Sequence, residues 1–119
     1  MEPQNSKRDH PGYMCDTTAW GVKAVEAVGS PNAKLLYDVY HMQVMEGDLA
    51  VSLKRYASMC GHIQIAGCPE RHEPDTGEVR YEYLFGLLDE IGYEGWLGCE
   101  YRPAGKTTDG LKWFSAATR

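Results

Sequence analysis

An α/β fold built on a parallel sheet is what this sequence predicts, on three observations. Short apolar runs at 35–41, 62–66 and 96–100 alternate with longer stretches of helical periodicity. The helical stretches close on Gly29, Gly61 and Gly92, the residue type that best accepts the left-handed turn after a helix. Each apolar run carries a polar side chain at or near its C-terminal end: Asp38, Gln64 and Glu100. Strands alternating with helices imply right-handed βαβ crossovers and so a parallel sheet. Three short strands do not close a barrel, and a complete eightfold barrel takes ~250 residues. The 119 residues are therefore either a small three-stranded layer, with helices on one side, or a piece of a larger barrel.

Met1 to Pro11 reads as a polar loop. A helix is expected from an N-cap at Asp16–Thr17, with Val22, Val25 and Val28 on its apolar face. Leu35–His41 follows as the central strand, and its Asp38 is the anomaly. Desolvating an unpaired carboxylate costs several kcal/mol or shifts its pKa. So Asp38 either caps a local turn, pairs with a cation or binds a metal. Asp48 offers a second N-cap, and Leu49, Leu53, Tyr56 and Cys60 form one stripe that runs the next helix to Gly61. His62–Ala66 alternates as a strand. Gly67–Arg80 is a long polar loop holding Arg71, His72 and Glu73, and loops of this length in compact domains are often functional. Leu84, Leu87, Leu88 and Ile91 give Tyr81–Ile91 the strongest helical pattern. Trp96–Glu100 is the third strand, with Cys99 read as a small core residue. A last helix is expected from Thr107–Asp109, with Leu111, Phe114 and Ala117 facing inward. Tyr37, Tyr40, Trp96 and Trp113 read as packing aromatics.

Composition sets the class. The chain is 43% hydrophobic and 24% charged, which suits a soluble globular domain with a real core. A net charge of −5 gives nothing that attracts nucleic acid or an anionic membrane. No apolar run of ~18 residues is present, so no membrane span is expected. Cys15, Cys60, Cys68 and Cys99 form no C-x-x-C pair, and no signal-peptide pattern opens the chain. Free thiols of this kind lead to the expectation of a reducing compartment, most simply the cytoplasm.

The strand-end groups carry the chemistry. In parallel α/β folds the C-terminal strand ends share one face, where ligands bind. Glu2 would join Asp38, Gln64 and Glu100 there, if a preceding strand ended at the start of this chain. Four oxygen-bearing side chains suit Mg²⁺ or Mn²⁺ better than a soft metal.

The residues Glu2-Pro3-Gln4-Asn5, Arg8-Asp9-His10-Pro11-Gly12-Tyr13, Tyr37-Asp38-Val39-Tyr40-His41-Met42-Gln43, His62-Ile63-Gln64-Ile65-Ala66, Arg71-His72-Glu73-Pro74, Thr76-Gly77-Glu78 and Gly98-Cys99-Glu100-Tyr101 resemble the hydroxypyruvate isomerase family, a group of xylose-isomerase-like barrels related to sugar 3-epimerases. The resemblance runs over nearly the whole chain in order. Gln64, where many relatives place a histidine, and the Arg-His-Glu-Pro loop are its narrower marks; Gln4 departs from the aliphatic residue usual there. The resemblance implies the C-terminal part of a xylose-isomerase-like (β/α)8 TIM barrel, residues 1–119 forming a partial barrel whose N-terminal half is absent. It places Glu2 at the end of a fifth barrel strand that is itself missing, and so without a strand to hold it.

The resemblance further implies a small hydroxy or oxo acid as substrate and isomerisation between hydroxypyruvate and 2-hydroxy-3-oxopropanoate through an enediolate. Glu2 and Glu100 would be the catalytic, proton-transferring carboxylates. Glu2, Asp38, Gln64 and Glu100 would hold the divalent ion, and His41 and Arg71 would bind substrate, Arg71 through its carboxylate. His72, Glu73 and Arg102 are weaker candidates. Other readings are a longer 2-oxo sugar acid as substrate, ketose 3-epimerisation, or a non-catalytic fragment. A metal nuclease on the same barrel type fits poorly, since it calls for more histidines and a basic face.

Overall fold

A computed structural model describes residues 1–117, with side chains described through residue 115. Five helices and three strands follow one another as α1 (Thr18–Val28), β1 (Leu35–Asp38), α2 (Val39–Met45), α3 (Leu49–Tyr56), β2 (Cys60–Ile65), α4 (Tyr81–Glu90), β3 (Leu97–Cys99) and α5 (Lys112–Ala117). The strands pair in parallel in the order β1–β2–β3, as the alternation of patterns predicts. Asp38 stands opposite Gln64, and Ile65 opposite Cys99.

The core lies on one face of the sheet. Leu35, Tyr37, Ile63 and Ile65 are buried there against Val25 of α1, Leu53 of α3 and Leu84, Leu87 and Leu88 of α4. Burying each of these leucines is worth roughly 1.5–3 kcal/mol. The opposite face carries Leu36, His62, Gln64 and Gly98, all only half-buried. That is the polar, inward row from which a barrel site is built.

Several boundaries differ from the sequence reading. The central strand stops at Asp38 and does not reach His41. The Asp38 carboxylate accepts the backbone N–H of Tyr40 (2.8 Å) and His41 (3.2 Å), and this cap starts a helix where the apolar run suggests more strand. The helix from Leu49 ends at Tyr56; a 3₁₀ turn, Ala57–Met59, leads into a strand that already includes Cys60. Asp48 precedes that helix at φ 46 but makes no side-chain cap. Thr17, by contrast, caps α1 through the N–H of Trp20, and Gly29 closes it at φ 65. α5 starts at Lys112, and buried Trp113 is its inward residue, while Leu111 and Phe114 are about half exposed. Ala117, expected beside them, lies outside the described side chains. Val28 and Trp96 are exposed, not packed, and Cys99 is exposed as well. β3 has β2 as its only strand partner among the described residues and so forms an edge of the sheet. No described helix is long and apolar enough to cross a membrane.

Residue 1 behaves as a fragment of strand. The Met1 carbonyl accepts the Leu36 N–H at 2.8 Å, and its ammonium donates to the Lys34 carbonyl at 2.9 Å. Glu2 is therefore held on the outer edge of β1, contrary to the expectation that nothing fixes it.

Tyr81 ties α4 to the end of β2. Its hydroxyl donates to the Ala66 carbonyl (2.7 Å) and accepts the Ala66 N–H (3.1 Å). Tyr81→Phe strips both partners from a buried peptide unit and is expected to cost about 1–3 kcal/mol. Urea unfolding checks this: an unchanged midpoint means water replaces the hydroxyl at no loss.

Candidate active site

Sheet order sets the site. Across the C-terminal strand ends the sequence of positions is Glu2 beside β1, Asp38 on β1, Gln64 on β2 and Glu100 just past β3. The two glutamates flank the row and Asp38 and Gln64 form its floor. The side chains expected to act together are thus brought together.

Arg71 is the tie among them. Its Nη2 donates to Glu100 Oε2 at 2.5 Å and to Asp38 Oδ2 at 3.4 Å. Its Nε reaches the Glu100 carbonyl at 3.4 Å, and its Nη1 stands 4.0 Å from Asp9 Oδ2. The guanidinium lies 4.9 Å from the centre of the Tyr40 ring, a cation–π contact that gives this aromatic more than a packing role. Arg71 has φ 59, left-handed backbone that a non-glycine residue adopts at a cost of ~1–3 kcal/mol. That turn points the long loop back over the strand ends. Arg71 is thus occupied by the protein's own carboxylates, and a substrate carboxylate gains it only by competing with Glu100 and Asp38.

His41 forms the other corner. Its Nε2 lies 3.8 Å from Glu2 Oε1 and 3.7 Å from Asp38 Oδ2, too far for direct hydrogen bonds. Its Nδ1 is 2.7 Å from Asn5 Nδ2. Asn5 is fully buried; its Oδ1 accepts the N–H groups of Arg8 (3.1 Å) and Asp9 (2.8 Å), and its Nδ2 also donates to Asp9 Oδ2 (2.8 Å). The edge of the His41 ring meets His10, with centroids 5.4 Å apart.

Burial governs the ionisation. Desolvation pushes Asp38 up to about 6, against the hydrogen bond from the His41 N–H and the charge of Arg71; nearby Glu2 pushes the same way as burial. Desolvation also raises Glu2, helped by the charge of Glu100 and opposed by the Gln4 side chain and Arg71. His41 is pushed down to about 4, first by burial and then by the positive charges of Arg71 and His10. The imidazole is therefore neutral at pH 7.

The donor set fits a divalent cation. The carboxylates of Glu2 and Asp38 come together beside His41, one polar atom of each of the three lying within 4.8 Å of the others. The buried Gln64 Oε1 has no hydrogen-bond partner, and an orphaned amide oxygen in this row is a ligand in waiting. Among the described residues Arg71 is the cation now balancing these acids.

The weaker candidates are braces. His72 Nδ1 contacts the Arg102 carbonyl at 2.7 Å, and the Arg102 N–H donates to the Arg71 carbonyl at 2.7 Å. Buried Glu73 accepts the Ala104 N–H at 3.2 Å. These contacts clamp the Arg71 loop to the loop after β3. Sequence reasoning missed Asn5, Asp9 and the ring role of Tyr40. Asn5 and Asp9 sit in a stretch whose polarity reads as solvent-exposed; an Asx-turn signal at Asn5 was the one local cue.

Similarity to known proteins agrees with this geometry. The chain is 52% identical over 114 residues to 2-oxo-tetronate isomerase of Cupriavidus necator, covering 96% of this chain and 44% of that protein. It is 46% identical to hydroxypyruvate isomerase of Escherichia coli, with the same coverage. It thus spans less than half the length of these relatives. Among solved structures, AP endonuclease, family 2 from Brucella melitensis superposes with a TM-score of 0.93 at 46% identity, over 97% of this chain and 44% of that one. D-psicose 3-epimerase from Clostridium cellulolyticum gives 0.74 at 26% identity, over 94% of this chain and 38% of that one. With a family profile matching residues 1–117, the chain belongs to the xylose isomerase-like TIM barrel family, of which its three strands form a part.

Proposed function

We propose that this chain carries the catalytic half of an isomerase that moves a carbonyl between neighbouring carbons of a small 2-oxo acid, with hydroxypyruvate and 2-hydroxy-3-oxopropanoate as the pair. The observation that carries the reading is the row Glu2, Asp38, Gln64, Glu100 on one edge of a parallel sheet, with Arg71 and His41 over it. Glu2 and Glu100 flank the position a substrate carbon would take. One removes the proton alpha to the carbonyl and the other returns a proton to the adjacent carbon, through an enediolate. Raised by burial, Glu2 is suited to hold a proton as well as to accept one. Arg71 supplies positive charge for the substrate carboxylate. Glu2, Asp38, Gln64 and Glu100 would hold Mg²⁺ or Mn²⁺, which when bound supplies polarisation of the carbonyl. The 52% identity to a protein named 2-oxo-tetronate isomerase supports a substrate one carbon longer as the second reading.

The test joins these 119 residues behind the portion of the Cupriavidus necator relative that precedes its matched segment. The joined chain is offered hydroxypyruvate and 2-oxo-tetronate in D₂O with Mn²⁺ and followed by proton NMR. Interconversion with solvent deuterium incorporated at the reacting carbon is expected. A folded joined chain that leaves both acids unchanged defeats the proposal.

Cation binding is expected to depend on pH with a definite sign. The ligands bind ionised, and Asp38 titrates near 6, so lowering the pH forces the cation to displace a proton. Between pH 7 and 5 the Mn²⁺ affinity is expected to fall by about tenfold from Asp38 alone, and further if Glu2 is also protonated. Calorimetric titration in two buffers of different ionisation heat counts the protons released. An affinity flat across that range removes Asp38 from the ligand set.

A further inference from the structure

The buried amide of Asn5 has only one way to face. Its Oδ1 takes two backbone N–H groups, from Arg8 and Asp9, which can only donate. Its Nδ2 therefore points the other way, with two hydrogens and two partners: Asp9 Oδ2 and His41 Nδ1. At 2.7 Å from an N–H donor, Nδ1 must accept. We infer that Asn5 is a positioning residue that fixes His41 as its Nε2–H tautomer, making the ring a hydrogen-bond donor to a substrate oxygen and removing it from the metal ligands.

The surrounding geometry says what that donor meets. Nε2 stands 3.8 Å from Glu2 Oε1 and 3.7 Å from Asp38 Oδ2, and the three residues bring one ligand atom each to within 4.8 Å of one another, a small triangle. A triangle of this size seats one small atom ~2.8 Å from each corner, hydrogen-bond distance. A cation there would need a bare Nε2, and Asn5 denies it one. A substrate hydroxyl suits this setting: it accepts from Nε2–H and donates its one hydrogen to the carboxylate of either Glu2 or Asp38. Cation ligation is thereby left to the oxygens, Gln64 Oε1 among them. Asn5 touches no substrate itself. It acts through His41, as a group on a ligating or binding imidazole sets which nitrogen carries the proton. The role given to the donor rests on the isomerase reading, whereas the tautomer itself does not.

The experiment uses histidine labelled with ¹⁵N in the 119-residue chain, read by long-range ¹H–¹⁵N correlation at pH 7. His41 is assigned by its loss in His41→Gln. The expected result for the unaltered chain is a neutral ring with the proton on Nε2; Nδ1–H, or an even mixture of tautomers, overturns the inference without any variant. The paired change Asn5→Asp with Asp9→Asn then reverses the polarity of the contact while keeping shape and net charge. The new carboxylate at position 5 keeps the two backbone N–H groups and turns an acceptor toward the ring, so the proton is expected on Nδ1. An Nε2–H ring in the folded double variant also overturns it. In the joined chain the same double variant is expected to lower kcat/KM at least tenfold. If the tautomer reverses as stated but the unaltered joined chain is inert on every oxo acid offered, the positioning role of Asn5 stands and the isomerase reading falls.

Discussion

Glu100→Gln in the joined chain is expected to lower kcat by about 10²–10⁴-fold, the range that a positioned general acid–base supplies. The change keeps the shape of the side chain, and an amide oxygen still accepts from Arg71 Nη2, now at 2.5 Å from a carboxylate oxygen. The ability to take and return a proton is lost, together with the negative charge that faces Arg71 and would help hold the cation. Two outcomes separate proton transfer from mere positioning of Arg71. A fall of more than a hundredfold in kcat, with KM little changed, assigns the proton transfer to Glu100. A loss of less than tenfold, or one confined to KM, makes Glu100 an anchor for Arg71 and leaves the two-carboxylate mechanism without its second member. Glu2→Gln, measured alongside, is expected to behave in the same way, since Glu2 holds the other end of the row.

The 119 residues by themselves are expected to isomerise hydroxypyruvate at least ~100-fold more slowly than the joined chain, a loss on the scale of misplacing a catalytic group by about 1 Å. The reason lies less in Glu2, which the Met1 backbone contacts to Leu36 and Lys34 hold in place, than in the open side of the site. Glu100 is 54% exposed. The inward row of Leu36, His62 and Gln64 is only half-covered, and Trp96 is 82% exposed. Water at the reacting groups weakens every charge interaction on which proton transfer depends. An uncovered sheet face also forfeits stability: at ~25 cal/mol per Å², a few hundred Å² of missing apolar burial removes several kcal/mol, comparable with a whole domain's margin. Initial rates of the two chains at equal folded concentration, with and without Mn²⁺, decide the matter. Equal rates mean that three strands suffice for the chemistry.

The parallel order of the strands and the residues at their ends are legible in the sequence. Alternating patterns and closing glycines are local signals, and each follows from backbone physics: a period near 3.6 buries one side of a helix, and Gly accepts a left-handed turn. The motif resemblance likewise placed Glu2, Asp38, Gln64, His41, Arg71 and Glu100 in one site, and the structure does gather them.

The errors share a cause. Apart from Asp38, Leu35–Tyr40 is apolar or aromatic at every position, so periodicity does not say where strand becomes helix; a carboxylate turning back onto two N–H groups does. Trp96, Val28 and Phe114 carry the hydrophobicity of core residues, and whether they are covered depends on what lies across from them. Asn5 reads as a polar loop residue, yet it is fully buried, because 36 residues later in the chain His41 supplies its partner. Sequence by itself determined which residue types stand at which strand ends, since that is local pattern. Tertiary structure alone decided that Asp38 caps a helix and pairs with Arg71, that Arg71 is held by Glu100, and that Asn5 faces His41, because hydrogen bonds and ion pairs form between groups that only folding brings within 3–4 Å.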